Sequence, residues 1–400
     1  MAHAHSHGGD DEAITSPTIR RALTVAVVIA ASFALIGLAV LWPREDPPPL
    51  DEAVAFSDRL DATVDAITTD PCQGTVEADG IPCKIVSFTV DSGVTAGEQS
   101  YLEMPVSTLS PDFDAGQGLV LGYNPDAPVG NQYFFLDVQR KQPLLVLAAL
   151  FVFAVLALGR VQGFRALGAL AVTGVLLMAF MLPAILIGRS PTAVALVGSA
   201  IIALAALYLT HGINERTTVA LLGTFASLGL IGVLGAAFVA ATRLSGLATE
   251  DAIVFQVASG GIDVRGLLLA GIIIGSLGVL DDVTVTQVSA VWELHQANPD
   301  YGMRGLYTAA IRIGRDHIAS TVNTLVLAYA GAALPLLLLY RQAAIGLTDV
   351  ANGEVIAVEI VRTLVGSIGL VASVPITTAL AALVISRSGT TGGRPVALAP

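Results

Sequence analysis

The sequence predicts an all-α polytopic membrane protein of about eight transmembrane helices, with a small, mostly β extracytoplasmic domain between helices 1 and 2. Three observations lead to this fold class. The 400-residue chain is 54% hydrophobic and only 13% charged, whereas a soluble domain carries about 25% charged residues. Its apolar residues fall into spans long enough to cross a bilayer. Its acidic excess lies in a single segment, residues 43–142.

That acidic segment accounts for the whole net charge of the protein. Residues 43–142 contain 17 Asp and Glu against 5 Lys and Arg, a net of −12, which equals the formal charge of the full chain. The other 300 residues therefore balance to zero. An acidic surface argues against nucleic acid as a partner, because phosphate binding needs a basic patch.

Both cysteines of the chain, Cys72 and Cys83, lie in this acidic segment, with polar turn-forming residues between them. Closing so short a loop favours a disulfide, worth roughly 3 kcal/mol on the chain-entropy model, although two free thiols fit the same sequence. A disulfide implies an oxidising, extracytoplasmic location. A structural zinc site would need four ligands, which this segment does not offer.

The first part of the chain divides into a tail, an anchor and the acidic domain. Residues 1–19 are polar and predict a disordered cytoplasmic tail. Its alternating His3, His5 and His7 suit loose transition-metal binding, but a tag remnant or an incidental bias explains them equally well. Residues 20–42 read as a first transmembrane helix, an uncleaved signal anchor. Arg20 and Arg21 place its start in the cytoplasm.

Two patterns follow within residues 43–142. The spacing of Val54, Leu60, Val64 and Ile67 predicts a helix over 50–68. Alternating β-forming residues at 85–90, 119–123 and 133–138, separated by turn residues, predict a small barrel or sandwich of five or six strands.

Residues 143–387 predict a seven-helix transmembrane domain, followed by a cytoplasmic tail at 388–400. The expected spans are 143–158, 166–187, 192–209, 217–242, 266–290, 318–340 and 362–385. Eight spans in all put both termini on the same, cytoplasmic side of a bacterial plasma membrane. Between the fifth and sixth spans, residues 251–258 predict a short amphipathic or re-entrant helix.

The sixth span carries a stripe of small and polar residues at helical spacing. Its members are Gly271, Gly275, Gly278, Asp282, Thr286, Ser289 and Glu293. Glycines allow close approach of another helix, so the stripe predicts a polar-lined seam facing the bundle interior. Ionisable groups at membrane depth are functional candidates. The alternative is that Asp281 and Asp282 lie at the inner interface, where they cap the span or are solvated.

The seventh span contains a second polar cluster, including Asn323 and Thr324. Asn323 needs a polar partner in lipid, and the Asp282 stripe is the expected one. Helix–helix packing and substrate contact explain this cluster equally well. The candidate transport path therefore consists of Asp281, Asp282, Thr286, Ser289, Glu293, Asn323 and Thr324.

Four segments carry a family resemblance: 159–170, 183–191, 271–294 and 312–335, of which the last two are the most specific. Through them, residues from about 133 to 340 resemble the YibE/F family of bacterial multi-pass membrane proteins. It implies a transporter-like organisation without a settled substrate. The residues that match the family pattern are Gly275, Gly278, Asp282, Ser289, Ala290 and Glu293. Asp281, directly before Asp282, departs from that pattern and leaves open which carboxylate matters.

Two functions compete. The first is a transporter or permease that moves an ion or small solute through the seam between helices 6 and 7. The second is an envelope scaffold or sensor whose outer domain binds a partner. An enzyme is not expected, because the sequence has no HExxH, GxSxG or P-loop motif, and no cofactor is predicted. The expected partners are the lipid bilayer, the transported solute, and either a second copy of the chain or an envelope protein.

Overall fold

The computed structural model describes residues 16–46, 58–72, 82–107, 110–128, 131–259 and 261–388. The chain divides into two compact units, Pro49–Arg160 and the combination of Met1–Pro48 with Val161–Pro400. The three N-terminal histidines and the tail after residue 388 lie outside the described residues, so the predictions made for them stay predictions.

The first unit contains a five-stranded antiparallel sheet in the order β3-β2-β1-β4-β5. Its strands are β1 Asp58–Pro71, β2 Pro82–Val90, β3 Gln99–Pro105, β4 Gly118–Tyr123 and β5 Tyr133–Val138. The sheet curls into a half-barrel around a buried apolar core that includes Phe88 and Leu121. The Tyr133 hydroxyl donates to Glu98 Oε2 at 2.9 Å across the open side. The predicted small β domain is therefore confirmed.

The helix predicted over 50–68 is wrong where the structure describes it, because residues from Asp58 onward form β1. Leu60 and Val64 are four residues apart, which fits a strand of period two as well as a helix. Ile67 shares their face only because a β-bulge between Val64 and Ala66 shifts the register by one residue. The regular spacing of these apolar residues therefore reflects one face of a bulged strand and not one face of a helix.

The cysteine prediction is confirmed. Cys72 and Cys83 form a disulfide with a Cα–Cα distance of 5.0 Å, across the ends of β1 and β2. Glu103 lies near the two sulfur atoms. Because both sulfurs are engaged in the disulfide, this group does not supply thiolate ligands for a metal.

The second unit is helical. Its elements are α1 Pro17–Leu41, the part of α2 (Lys141–Leu176) that follows Arg160, a π-helical turn Leu177–Met181, α3 Leu182–Leu186, α4 Pro191–His211, α5 Glu215–Ala241, α6 Glu250–Ser259, α7 Val264–Ala297, α8 Met303–Ala332, α9 Leu334–Gln342, α10 Leu347–Asn352 and α11 Glu354–Ser388. The short helix predicted at 251–258 corresponds to α6.

Six helical segments among the described residues are long and apolar enough to cross a membrane, or seven if the bent pair α8–α9 is one span. The expected count of eight is not confirmed. The difference lies in the spans predicted at 143–158 and 166–187, which fall in one helical stretch of 46 residues, Lys141–Leu186. Arg160 alone interrupts its helical dihedrals, with φ 48° and ψ −122°.

Helices α5, α7 and α11 form the centre of the bundle, and α4 and α8 pack against α7. The starts of α5 and α7 are fixed locally, because Asn214 and Asp263 accept a hydrogen bond from the backbone amide three residues later. At one end of the bundle, Leu23 of α1, Trp292 of α7 and Ile385 of α11 belong to the same buried cluster. The start of α1 and the ends of α7 and α11 therefore meet there.

Candidate functional site

Helix α7 is the central element of the site and runs without a break for 34 residues, or about 51 Å at 1.5 Å per residue. Its two adjacent carboxylates, Asp281 and Asp282, lie inside this helix. The sequence contains no proline between the Asp263 cap and the end of the helix at Ala297. The expected single helix through the polar stretch is therefore present and extends beyond the predicted span.

The predicted orientation of the stripe is wrong. Gly271, Gly275, Gly278, Asp282, Thr286 and Glu293 are exposed, and Ser289 is half-buried. The Asp282 side chain retains 73% of its accessible surface. We call this side of the helix the open face of α7. The reason is the hydrophobic effect. The opposite side of α7 carries the large apolar residues, and burying them stabilises the fold far more than burying a stripe of glycines and hydroxyls would.

The open face nevertheless has ionisable neighbours along its length. At one end, Arg216 of α5 lies 3.7 Å from the Glu293 carboxylate. Further along, Nε2 of His317 on α8 lies 3.7 Å from Asp282 Oδ2, which is too long for a hydrogen bond.

The line of polar neighbours continues toward the start of α7. The Tyr329 hydroxyl lies against Gly275, and the Arg362 guanidinium lies against Gly271. Arg362 also donates to Glu359 Oε1 at 2.9 Å and lies 6.0 Å from the centre of the Tyr329 ring. Together these groups form what we call the ionisable line: Glu293, Arg216, Asp282, His317, Tyr329, Arg362 and Glu359.

The ionisable line is as long as a membrane is thick. From Glu293 to Gly271 the helix rises about 33 Å at 1.5 Å per residue, close to the roughly 30 Å of a bilayer core. Asp282 lies about 16 Å from Glu293 by the same rise. It also lies about 26 Å from Arg265, the charged residue near the other end of α7.

Helix α8 also carries charged residues next to its contact with Gln287. Gly314 packs against Gln287, and its neighbours Arg312, Arg315 and Asp316 are exposed. Exposed charges on α8 therefore occur at the level of Gln287, about 8 Å along α7 from Asp282, but Arg312 and Asp316 lie about 160° around α8 from Gly314 and face away from α7.

Asn323 and Thr324 lie on different sides of α8. Asn323 is exposed and lies about 120° around α8 from His317, so it does not point toward Asp282 as predicted. Thr324 is seven residues from His317 and therefore shares its face of α8. Of these two predicted residues, only Thr324 lies on the side of α8 that contacts Asp282.

Asp281 points to another side of α7, about 100° around the helix from Asp282. Its neighbours on that side, Leu277 and Val288, are buried in clusters formed with α1, α4 and α5. The Asp281 Oδ1 atom is buried and has no hydrogen-bond partner among the described residues. The two adjacent carboxylates therefore occupy different environments.

The buried face of α7 carries polar residues that the sequence interpretation did not assign to the site. The hydroxyls of Thr224 on α5 and Thr284 on α7 lie 2.9 Å apart. The amide nitrogen of Gln287 donates to Ala310 O of α8 at 2.9 Å and to Thr378 Oγ1 of α11 at 2.7 Å. The signal was available in the sequence, since Thr284 and Gln287 follow the large apolar residues Leu277 and Leu280 at helical spacing.

The model of a family described as YibE/F-like protein matches residues 147–387, which is well over half of the chain. No curated protein and no solved structure matches the chain. The matched region includes all of α7 and α8, and therefore the open face and its ionisable neighbours.

Proposed function

The chain belongs to the YibE/F-like protein family, and from this premise we propose that it is a transporter that moves an ion or small solute along the open face of α7. The observation that carries the proposal is the ionisable line, which spans about one bilayer thickness. Family membership and the long apolar helices establish a multi-pass membrane protein. Transport is the step that the proposal adds.

The energetic argument concerns Asp282. A charged side chain at the centre of a membrane helix costs about 2.5–3.5 kcal/mol on insertion scales, so such residues are retained mainly where they act on ions or protons. His317 on α8 places an imidazole nitrogen 3.7 Å from the Asp282 carboxylate. The pair therefore suits a group that binds and releases a cation during each transport cycle.

The arrangement also suggests where water enters. On this proposal, water reaches the open face from the Glu293 end, where Glu293 and Thr286 are exposed. Solute would enter there, pass Asp282 and His317, and continue past Tyr329 toward Arg362. The hydroxyls of Thr286, Ser289 and Thr324 line this route and replace water around a small ion.

For orientation, we propose a bacterial plasma membrane with the Glu293 end in the cytoplasm. Arg20, Arg216, Arg312 and Arg387 all lie toward this end, in agreement with the positive-inside rule. The disulfide-linked sheet follows the other end of α1 in the chain, and a disulfide suits an oxidising compartment. Residues 43–142 would then be extracytoplasmic and both termini cytoplasmic.

The test is transport by the purified chain in liposomes. Uptake of radioactive sodium, radioactive rubidium and protons, the last with an internal pH dye, is measured under an imposed gradient. We expect Asp282→Asn to reduce the wild-type flux at least tenfold. The control is Asp349→Asn, an exposed carboxylate of α10, which should leave the flux unchanged. Equal flux in wild type and Asp282→Asn, or wild-type flux no greater than empty liposomes, would contradict the proposal.

A second candidate function is an envelope scaffold or sensor, favoured by apolar surface on the sheet. Tyr101 on β3 and Phe134 on β5 are exposed, at 47% and 42% of their surface, and exposed aromatic residues are typical of binding surfaces. Deleting residues 50–138 separates the two functions. If flux persists without the sheet, the domain is a docking module and the helices transport unaided.

A further inference from the structure

We propose that two copies of this chain pair through one side of α8, which we call the outward face, with the Asn323 amides in contact near the centre of the membrane. The outward face consists of exposed residues at helical spacing: Arg312, Asp316, Ala319, Ser320, Asn323 and Leu327. The inference goes beyond the proposed transport function and does not depend on it.

The direction of the outward face follows from how α8 packs. Ile318 and Leu325 of α8 pack against a buried cluster on α7 and α11 that includes Val374. Asn323 lies about 140° around α8 from Ile318 and about 160° from Leu325. It therefore points away from both neighbouring helices, in agreement with its exposure.

The depth of Asn323 follows from the register of α8 against α7. Six residues before it, His317 lies beside Asp282. Six residues after it, Tyr329 lies against Gly275. Asn323 is therefore level with the part of α7 between these two contacts, about 20 Å or more from the charged residues near either end of α7. Since half of a bilayer core is about 15 Å, the amide lies near the middle of the membrane.

The Asn323 side chain needs a partner at this depth. It has no hydrogen-bond partner among the described residues. Its amide carries two N–H donors and an acceptor oxygen, and a lipid tail satisfies neither, which costs free energy. Because the side chain points away from α7 and α11, the partner has to approach from outside these packed helices.

A second copy of the chain supplies the matching group. A two-fold axis along the membrane normal places the same residue of both copies at the same depth. An amide complements itself, because the N–H groups of one copy donate to the oxygen of the other. Hydrogen bonds between amide side chains are a known source of association between membrane helices.

Arg312 and Asp316 add charge complementarity to the same face. Both are exposed, and neither forms an ion pair with another described residue. In a two-fold dimer the two α8 helices run in the same direction, so Arg312 of one copy lies about 6 Å along the axis from the Asp316 position of the other. The symmetry forms two such pairs, and each provides a partner for charges that otherwise point outward from the bundle.

Small residues on the outward face permit the close approach that an amide pair needs. Ala319 lies one turn before Asn323, and Ala330 lies two turns after it on the same side. Both alanines are exposed. Small residues at such spacing let the backbones of membrane helices pack closely.

The apolar first part of α2 does not fit as the partner. It belongs to the other compact unit and is largely exposed. Its residues 144–158 carry no side chain that donates or accepts a hydrogen bond. This segment would therefore leave the Asn323 amide as unsatisfied as a lipid tail does.

The first experiment counts copies of the fluorescently labelled full-length protein in liposomes at increasing lipid dilution, by single-molecule photobleaching. We expect the wild type to bleach mainly in two steps, and Asn323→Leu to weaken the dimer about tenfold or more. Asn323→Gln keeps the amide and should retain most of the pairing. Asn352→Leu makes the same change at an exposed asparagine of α10 and should leave the dimer unchanged.

The second experiment retains Asn323 and therefore carries the test if Asn323→Leu does not fold. Both native cysteines form a disulfide, so one introduced cysteine supplies the free thiol. Under copper phenanthroline oxidation in membranes, Leu327→Cys on the outward face should form a covalent dimer. Val233→Cys, at an exposed position of α5, is the matched control and should not.

A wild-type chain that stays monomeric at every lipid dilution would overturn the proposal. So would an Asn323→Leu dimer as stable as the wild type, equal weakening by Asn352→Leu, or equal crosslinking at Leu327→Cys and Val233→Cys. Because no flux is measured, failure of this contact is distinguishable from failure of transport along the open face.

Discussion

The two faces of α7 differ in how their polar residues are used. On the buried face, Thr284 and Gln287 bond to hydroxyl and carbonyl groups of α5, α8 and α11. On the open face, Asp282 and Glu293 approach their partners only at 3.7 Å. Polar residues on the buried face therefore act as packing elements, whereas those on the open face keep their surface accessible. The comparison teaches that polarity in a membrane helix does not by itself identify the buried side.

The largest expected contrast involves a glycine at a packed contact and a glycine on the open face. A Cβ at Gly314 would lie 2.7 Å from Gln287 Oε1, whereas a Cβ at Gly278 would meet nothing within 4 Å. We expect Gly314→Ala to destabilise the protein by about 2 kcal/mol, because the added methyl displaces Gln287. Gly278→Ala should stabilise it by up to about 1 kcal/mol, because alanine favours a helix. Thermal unfolding in detergent measures both.

If Gly278→Ala instead destabilises the protein, something covers the open face in the folded protein. The same measurement in liposomes and in detergent micelles would then show whether the covering partner survives extraction. If Gly314→Ala destabilises the protein and Gly278→Ala does not, the buried face and the open face of α7 differ as the structure indicates.

A smaller contrast involves neighbouring residues on opposite faces. Gln287→Leu removes two hydrogen bonds and leaves the Ala310 carbonyl and the Thr378 hydroxyl with one partner fewer, so it should cost about 1–2 kcal/mol. Thr286→Val on the open face should change stability by less than about 0.5 kcal/mol. Comparable losses in the two variants, measured by thermal unfolding under identical conditions, would mean that the open face is packed.

The smallest expected effect concerns the hydroxyl contact between α5 and α7. Thr224→Val, Thr284→Val and the double variant form a cycle, for which we expect a coupling energy of about 0.5–1 kcal/mol. The control cycle pairs Thr224→Val with Thr286→Val, whose coupling should be indistinguishable from zero. A zero value in the first cycle would mean that the 2.9 Å contact contributes nothing to packing.

Much of the fold followed from local sequence. The Cys72–Cys83 disulfide, the β strands between α1 and α2, and the unbroken α7 were all predicted, because each depends on neighbouring residues. The helix predicted from Leu60 and Val64 failed because a spacing of four fits both a helix and a strand. The division of Lys141–Leu186 into two spans is not confirmed, although non-helical backbone at Arg160 interrupts this stretch.

The candidate site was predicted only in part. Asp282 and Glu293 do have ionisable partners, but the sequence did not identify His317 and Arg216 as those partners. Asn323 was paired with Asp282 because both are polar and on adjacent spans, yet its direction depends on how α8 is rotated against α7. Rotation of one helix against another is fixed by side-chain volumes across several helices, and no single span contains that information.

The sequence by itself determined that this is a multi-pass membrane protein with a disulfide-linked β domain, and that α7 carries a stripe of polar residues at helical spacing. Hydrophobicity, periodicity and cysteine spacing are local properties, which one chain segment expresses alone. Only the tertiary structure decided which face of α7 is buried, and that adjacent carboxylates Asp281 and Asp282 point to different environments. The physical reason is that burial depends on what the neighbouring helices can pack against, and the large apolar side chains of α4, α5 and α11 select the face that fits them.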